Sequence, residues 1–306
     1  MKIVFFGTPD YVVPIAEALY RKYGKGDEGV AAVVTQPPRP NDRDQYLKRT
    51  AIDNWAYKKK IPIFFSAQEA PEADLGVLAS YGELISPEVI NRFGSGILNI
   101  HPSLLPNFRG AAPVQATLVT NTNPTGVTVM KMDQEMDHGP VISSFKEELQ
   151  PTDTTLTLRN RLFERSADFL VELLPNYLNG RIKPKEQNHD LVTTTSLVKK
   201  AHGFVPSQII AKCLEGKTTK KNLEIGFIKD YALTPSPENI ERLVRALSPW
   251  PHVWTRVEIA GKPKRLLILS AHLEDKKLVL DEVQLEGKNK VSFRQLQEGY
   301  PEMKFK

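Results

Sequence analysis

Residues 2–24 read KIVFFGTPDYVVPIAEALYRKYG. The apolar run Lys2 to Phe6 is followed by the turn Gly7-Thr8-Pro9-Asp10, and then by a stretch that places Val12, Ile15, Leu19 and Tyr23 on one helical face before Gly24 closes it. This is a strand, a turn and a helix. Outward from it, short apolar runs recur at Val30 to Val34, Ile61 to Phe65, Gly76 to Ala79 and Ile97 to Ile100, with helical stretches at Tyr46 to Lys59 and Pro87 to Phe93 between them. Strands apolar along their whole length, alternating with helices, predict a doubly wound α/β fold whose mostly parallel sheet is covered on both faces. The turn after the first strand lacks the three-glycine spacing of a dinucleotide fingerprint, and no other stretch supplies it, so a nicotinamide-binding reading is set aside.

Beyond Ile97 the pattern predicts a loop, a short helix over Val114 to Thr120, strands over Gly126 to Met132 and Val141 to Phe145, and a long amphipathic helix from Thr155 to Leu178 capped by Asp153. The segment Lys183 to Thr195 carries no periodicity and reads as a linker. After it come helices over Ser207 to Leu214 and Pro237 to Leu247, then alternating runs at Val253 to Ile259, Arg265 to Ala271 and Lys277 to Gln284, expected to form a small antiparallel β-structure. A length of 306 residues accommodates two domains, expected over 1–188 and 205–306 with a linker at 189–204.

Composition narrows the class. Hydrophobic residues make up 41% and charged residues 25%, which excludes extended disorder and fibrous repeats. Cys213 is the only cysteine, so neither an internal disulfide nor a multi-cysteine zinc site can be assembled in one chain, and a reducing, cytoplasmic setting is expected. The turn at Gly7 to Asp10 interrupts the first apolar run before a signal-peptide core can form, and no later run approaches the roughly 20 residues of a membrane span. The formal charge of +5 arises in the last third, where residues 205–306 hold 18 Lys and Arg against 13 Asp and Glu. That bias suits a domain that meets phosphates, and equally a solvated basic surface.

The chemistry-bearing stretch is Asn99-Ile100-His101-Pro102-Ser103-Leu104-Leu105-Pro106. Residues of like parity leave a strand on the same side, so Asn99 and His101 can project together from the carboxyl end of a strand, where open α/β sheets bind their ligands. A second stretch, Met132-Asp133-Gln134-Glu135-Met136-Asp137-His138-Gly139-Pro140, offers in Asp137 a carboxylate able to orient His101. On spacing alone a blander reading stands beside this one: Asn99 and His101 as satisfied polar residues at a strand end, and Asp137 as a turn residue. His138 is read as an exposed turn histidine or a second titrating group.

The run Asn99 to Gln115, with Ser103-Leu104-Leu105-Pro106 and Arg109-Gly110-Ala111-Ala112-Pro113, followed by Gly126-Val127-Thr128 and Met136-Asp137-His138-Gly139, resembles the folate-dependent formyltransferase family. Phe5-Phe6-Gly7-Thr8-Pro9, Thr35-Gln36-Pro37, Tyr81-Gly82 and Pro249-Trp250-Pro251 extend the resemblance over nearly the whole chain. It implies catalytic roles for Asn99, His101 and Asp137, folate contact by Ser103, Leu104, Leu105 and Pro106, and no need for a metal. It implies further that an amine attacks the formyl carbon of 10-formyltetrahydrofolate, with negative charge on the formyl oxygen held by the Asn99 amide and a protonated His101. The small residues Ala111 and Ala112 and the basic second half favour the members that act on initiator methionyl-tRNA, with members acting on a sugar nucleotide amine as the alternative; a monomer is expected.

In the resembled family an insertion after the second strand reaches the acceptor arm of tRNA, which makes Arg39, Arg43, Lys48 and Arg49 candidates for phosphate contact. A solvated helix start is the other reading of these residues. The loop departs from the family in being short, with Pro37, Pro38, Pro40, Asp42 and Asp44 in place of a glycine-rich run. Pro102, Asn107 and His138 also depart from the tRNA-acting members. The second domain is expected as a reduced oligonucleotide-binding-like barrel, with Lys262, Lys264 and Arg265 on a hairpin as candidate tRNA contacts and Trp250 and Trp254 in its core.

Overall fold

A computed structural model describes residues 1–40 and 47–305. The first half contains strands β1 (Ile3–Gly7), β2 (Val30–Val34), β3 (Ile63–Phe64), β4 (Leu75–Ala79), β5 (Ile97–His101), β6 (Thr125–Lys131) and β7 (Val141–Glu147), joined in one sheet of order β7-β6-β5-β4-β1-β2-β3. The five strands from β3 to β5 run parallel, whereas β6 and β7 join antiparallel to their neighbours. Every residue of β1, β4 and β5 is buried, as strands covered on both faces demand. The expected apolar run at residues 61–65 yields only a two-residue strand, because Pro62 has no N–H to give to the ladder and contributes its carbonyl to Val33 alone.

Helices α1 (Val13–Tyr23), α2 (Ala51–Lys59) and α3 (Pro87–Ile90) connect the parallel strands. Helix α1 buries Ile15, Ala16 and Leu19, the face that its sequence spacing marks. Thr50 caps α2 by accepting the Asp53 N–H, and Gly24 ends α1 with a positive φ of 74°. On one face of the sheet Phe6 packs edge-on against the rings of Tyr81 and Phe93, with centroids 5.8 and 5.7 Å apart. Burial, aided by the Glu83 carboxylate, pushes the Tyr81 phenol up to about 12.

The chain divides into two compact units that interleave in sequence. One comprises residues 1–109, 124–148 and 159–192, and holds the seven-stranded sheet. The other comprises residues 110–123, 149–158 and 193–306. In this second unit α4 (Pro113–Thr120) packs against α6 (Pro237–Ala246), and the Thr155 hydroxyl donates to the Ala246 carbonyl at 2.6 Å. The long helix α5 (Thr155–Leu178) has the bounds its periodicity predicts, but the side chain accepting its Thr157 N–H is Thr154 rather than Asp153; Asp153 instead accepts the Thr157 hydroxyl.

The C-terminal strands β8 (Val253–Ile259), β9 (Lys262–Ile268), β12 (Glu282–Leu285) and β13 (Lys290–Ser292) make an antiparallel sheet of order β8-β9-β12-β13, and β10 (Ala271–Glu274) pairs with β11 (Lys277–Leu280) separately. The small β-domain expected from the sequence thus takes the form of a four-stranded sheet and a separate hairpin. Strand β9 starts three residues before the expected Arg265, because Ala260 and Gly261, both at positive φ, make a two-residue turn directly after β8. Trp254 packs against Phe204 with centroids 4.7 Å apart, whereas Trp250, expected in the core, is 57% exposed. No described helix is long and apolar enough to cross a membrane.

Candidate active site

The last three residues of β5 set the geometry. Alternation sends Asn99 and His101 out on one side of the strand, and the antiparallel register places Met130 opposite Asn99 and Thr128 opposite His101. Both polar side chains are buried, Asn99 to 8% exposure and His101 to 4%. The loop between β6 and β7 then brings Asp137 to them. Its Oδ1 accepts the Asn99 Nδ2–H at 3.0 Å, and its Oδ2 lies 3.5 Å from His101 Nδ1. The three candidate catalytic residues therefore form one cluster, with Asp137 held at φ 51°, a left-handed conformation that aspartate tolerates better than most residues.

The far side of the imidazole is fixed as well. His101 Nε2 is 3.1 Å from the Phe108 carbonyl, and a carbonyl only accepts, so Nε2 carries a hydrogen and donates it. That leaves Nδ1 as the nitrogen facing the carboxylate. A proton on Nδ1 gives each nitrogen a suitable partner and turns the contact with Asp137 into a charge-assisted one. One Asn99 amide hydrogen is used by Asp137, and among the described residues the second has no acceptor.

The loop after β5 is tied down by Thr128. Its hydroxyl donates to the Ser103 carbonyl at 2.8 Å and accepts the Leu105 N–H at 3.0 Å. Ser103 is buried, and its own hydroxyl donates to the Asn107 carbonyl at 2.6 Å. Of the four residues expected to contact folate, Leu104, Leu105 and Pro106 are the ones that stay partly exposed. Gly126 allows this loop to approach: a Cβ there would stand 2.0 Å from the Phe145 carbonyl oxygen and 2.7 Å from the Leu104 side chain.

Two residues of this cluster escaped the reading of the sequence. Gln187 sits in the stretch read as a linker, yet it is 6% exposed, and its Nε2 donates to the carbonyls of Asp137 and Gly139 at 2.9 and 2.8 Å. Its Oε1 accepts from Arg109 Nε and Nη2 at 3.1 and 2.7 Å. Arg109 Nη2 also donates to His189 Nδ1 at 2.9 Å, and the His189 ring stacks on His138 at 4.3 Å. His138 Nδ1 is in turn 2.6 Å from Asp133 Oδ2. Irregular sequence gives no periodic signal for such residues; the one available cue was a glutamine and a histidine in a run otherwise without function.

The expected tRNA-contacting residues are distributed. Arg39–Pro40 pairs antiparallel with Leu47–Lys48, which sets Arg39 opposite Lys48, while Arg43 lies outside the described residues. Arg49 donates to Asp53 at 2.8 Å and places its guanidinium 4.2 Å from the Tyr57 ring centroid, so part of its charge serves α2. It also lines a cleft of about 590 Å³ with Thr8, Pro9, Asp10, Thr50, Ala51 and Asn54. On the C-terminal hairpin, Lys262 and Lys264 lie opposite Ile259 and Val257, whereas Arg265 lies opposite Arg256. Parity therefore puts the two lysines on one face of the hairpin and Arg265 with Arg256 on the other.

Residues 1–174 match the family model described as formyl transferase. The methionyl-tRNA formyltransferase of Chloroflexus aurantiacus is 33% identical over 277 residues, which covers 87% of this chain and 79% of the relative. That of Bartonella henselae is 31% identical over 284 residues, covering 89% and 82%. Among solved structures, the N-formyltransferase of Helicobacter canadensis, in complex with folinic acid and dTDP-3-aminofucose, superposes with a TM-score of 0.61 at 16% identity, covering 90% of this chain and 88% of that one. At that identity the superposition speaks for the fold alone.

Proposed function

The chain belongs to the formyl transferase family, among its methionyl-tRNA formyltransferases, and from that premise we propose that it moves the formyl group of 10-formyltetrahydrofolate onto the amino group of initiator methionyl-tRNA. The observation that carries this reading is the convergence of Asn99, His101 and Asp137 on one point. A folate derivative as formyl donor fits the family and the folinic acid bound by the similarly folded enzyme. The tRNA acceptor fits the names of relatives aligned over most of the chain, the basic last third and the exposed Trp250. In this scheme residues 1–188 supply the chemistry, 189–204 link, and 205–306 hold the acceptor in a cytoplasmic monomer.

The reaction needs a neutral amine to attack the formyl carbon, a place for the negative charge that grows on the formyl oxygen, and a path for a proton from the amine to the departing N10. The second amide hydrogen of Asn99 is a donor for that oxygen, and a protonated His101 Nδ1 becomes one by sharing with it the hydrogen that it otherwise directs at Asp137. Both project from a buried strand end, where preorganised donors act at low dielectric without reorienting. Asp137 holds the Asn99 amide in register, lies against the His101 ring, and relays the amine proton, directly or through water, to the departing N10. Folate is held by the partly exposed Leu104, Leu105 and Pro106, whose loop Thr128 clamps against β6. The formyl group is already activated by its bond to nitrogen, so side-chain donors and acceptors carry the step.

Incubation of the purified chain with 10-formyltetrahydrofolate and charged initiator tRNA, followed by recovery of formylmethionine, tests the proposal. Product with tRNA and none with an amino-sugar nucleotide supports it. Product with the amino sugar alone replaces the acceptor but keeps the chemistry, and no product with either overturns it.

A further inference from the structure

We infer that Gln187, held by Arg109, is a positioning residue that sets the Asp137 carboxylate between Asn99 and His101. The inference rests on the catalytic reading of that cluster.

The contacts around Gln187 leave no freedom in its orientation. Its Oε1 meets two N–H groups of a guanidinium, which only donates, and its Nε2 meets two main-chain carbonyls, which only accept; the partners thus fix which end of the amide is oxygen. Both amide hydrogens are spent on the loop carrying Asp137, one on the carbonyl of Asp137 itself. The loop needs such a tie. Asp137 stands at φ 51°, and the chain turns so tightly that a Cβ on Gly139 would lie 2.0 Å from the Lys131 carbonyl oxygen.

The anchor is shared between the two catalytic groups. Arg109 follows Phe108, whose carbonyl accepts the His101 Nε2–H, so one buried dipeptide fixes the imidazole directly and the carboxylate through Gln187. Phe108, Arg109 and Gln187 are all below one-tenth exposed. A small rotation of the Asp137 backbone would break the 3.0 Å contact to Asn99 and the 3.5 Å approach to His101 together. Supporting hydrogen bonds of this kind decide whether a site has productive geometry. Gln187 lies outside the residues matched by the family model, which end at 174.

The test uses Gln187→Glu, which keeps the shape and strengthens the link to Arg109 but replaces two donors to the loop with an oxygen. The expected result for formyl transfer is a kcat reduced at least ten-fold, with KM for folate and for charged tRNA changed less than three-fold, and a melting temperature that falls but stays above the assay temperature. A cycle with Asp137→Asn completes it: if Gln187 acts through the carboxylate, Gln187→Glu lowers kcat by less than two-fold in the Asp137→Asn background. Full activity of Gln187→Glu, or an equal loss in both backgrounds, overturns the positioning role while leaving the catalytic reading intact. Full activity of Asp137→Asn by itself overturns that reading instead.

Discussion

At the scale of single residues, His101 is used from both sides, and its two contacts predict two separable effects of its removal. In His101→Ala the Phe108 carbonyl loses its buried donor, which costs about 1–3 kcal/mol of stability. Formyl transfer falls by roughly a hundred-fold or more if the imidazole holds the formyl oxygen. Melting curves and single-turnover rates on the same preparation separate the two, and a rate within a few-fold of wild type would remove His101 from the mechanism. Cys213 makes the opposite case. It is fully buried, and burial with the nearby Glu238 carboxylate pushes its thiol up to about 11. The native protein at pH 8 is therefore expected to leave a thiol-reactive disulfide reagent unconsumed, and the denatured chain to consume one equivalent; fast reaction of the native protein would place Cys213 at the surface. Asn99 and His101 were legible as a pair because strand parity is a local property. Gln187 was not, since its role depends on Arg109 and on two carbonyls 48 and 50 positions away, and nothing in its own neighbourhood announces them.

At the scale of elements, strands were readable where burial on both faces forces an apolar run, as in β1, β2, β4 and β5, and poorly bounded where a turn decides the register. The hairpin turn at Ala260 and Gly261 moved the start of β9 by three residues, and Asp281 splits the expected strand at Lys277 to Gln284 between two sheets. The catalytic loop shows how much a turn can govern. Gly139→Ala must displace the Lys131 carbonyl, and the displacement passes along the loop to Asp137, so activity is expected to drop by an order of magnitude or more. Kinetics with saturating donor check this; unchanged kcat would mean that the loop absorbs the extra methyl without moving Asp137. In the sheet, Phe6→Ala removes a fully buried ring that packs against Tyr81 and Phe93, at an expected cost of about 3–5 kcal/mol. Denaturant unfolding measures it, and a loss below about 1 kcal/mol would contradict the packing described.

At the scale of the whole molecule, charge and chain connectivity carry the remaining information. The excess of Lys and Arg in residues 205–306 was visible in composition, but the face each cation occupies was not, because parity within β9 separates Lys262 and Lys264 from Arg265. If the lysines meet phosphates, the variant Lys262→Ala/Lys264→Ala weakens tRNA binding and flattens the dependence of log K on log salt by about 0.7–0.9 for each phosphate no longer neutralised. An unaltered slope in a filter-binding titration would count against that face. The interleaving of the two units could not be read from a linear pattern, since Gly110–Asn123 and Leu149–Leu158 carry no local mark of the company they keep. The chemistry assigned to Asn99, His101 and Asp137 is tested by the transfer of a labelled formyl group from 10-formyltetrahydrofolate to charged initiator tRNA, compared between the wild-type chain and Asp137→Asn. Labelled formylmethionine is expected from the first, and a rate lower by at least a hundred-fold from the second. Equal rates, or no label transferred by the wild type, would contradict that chemistry.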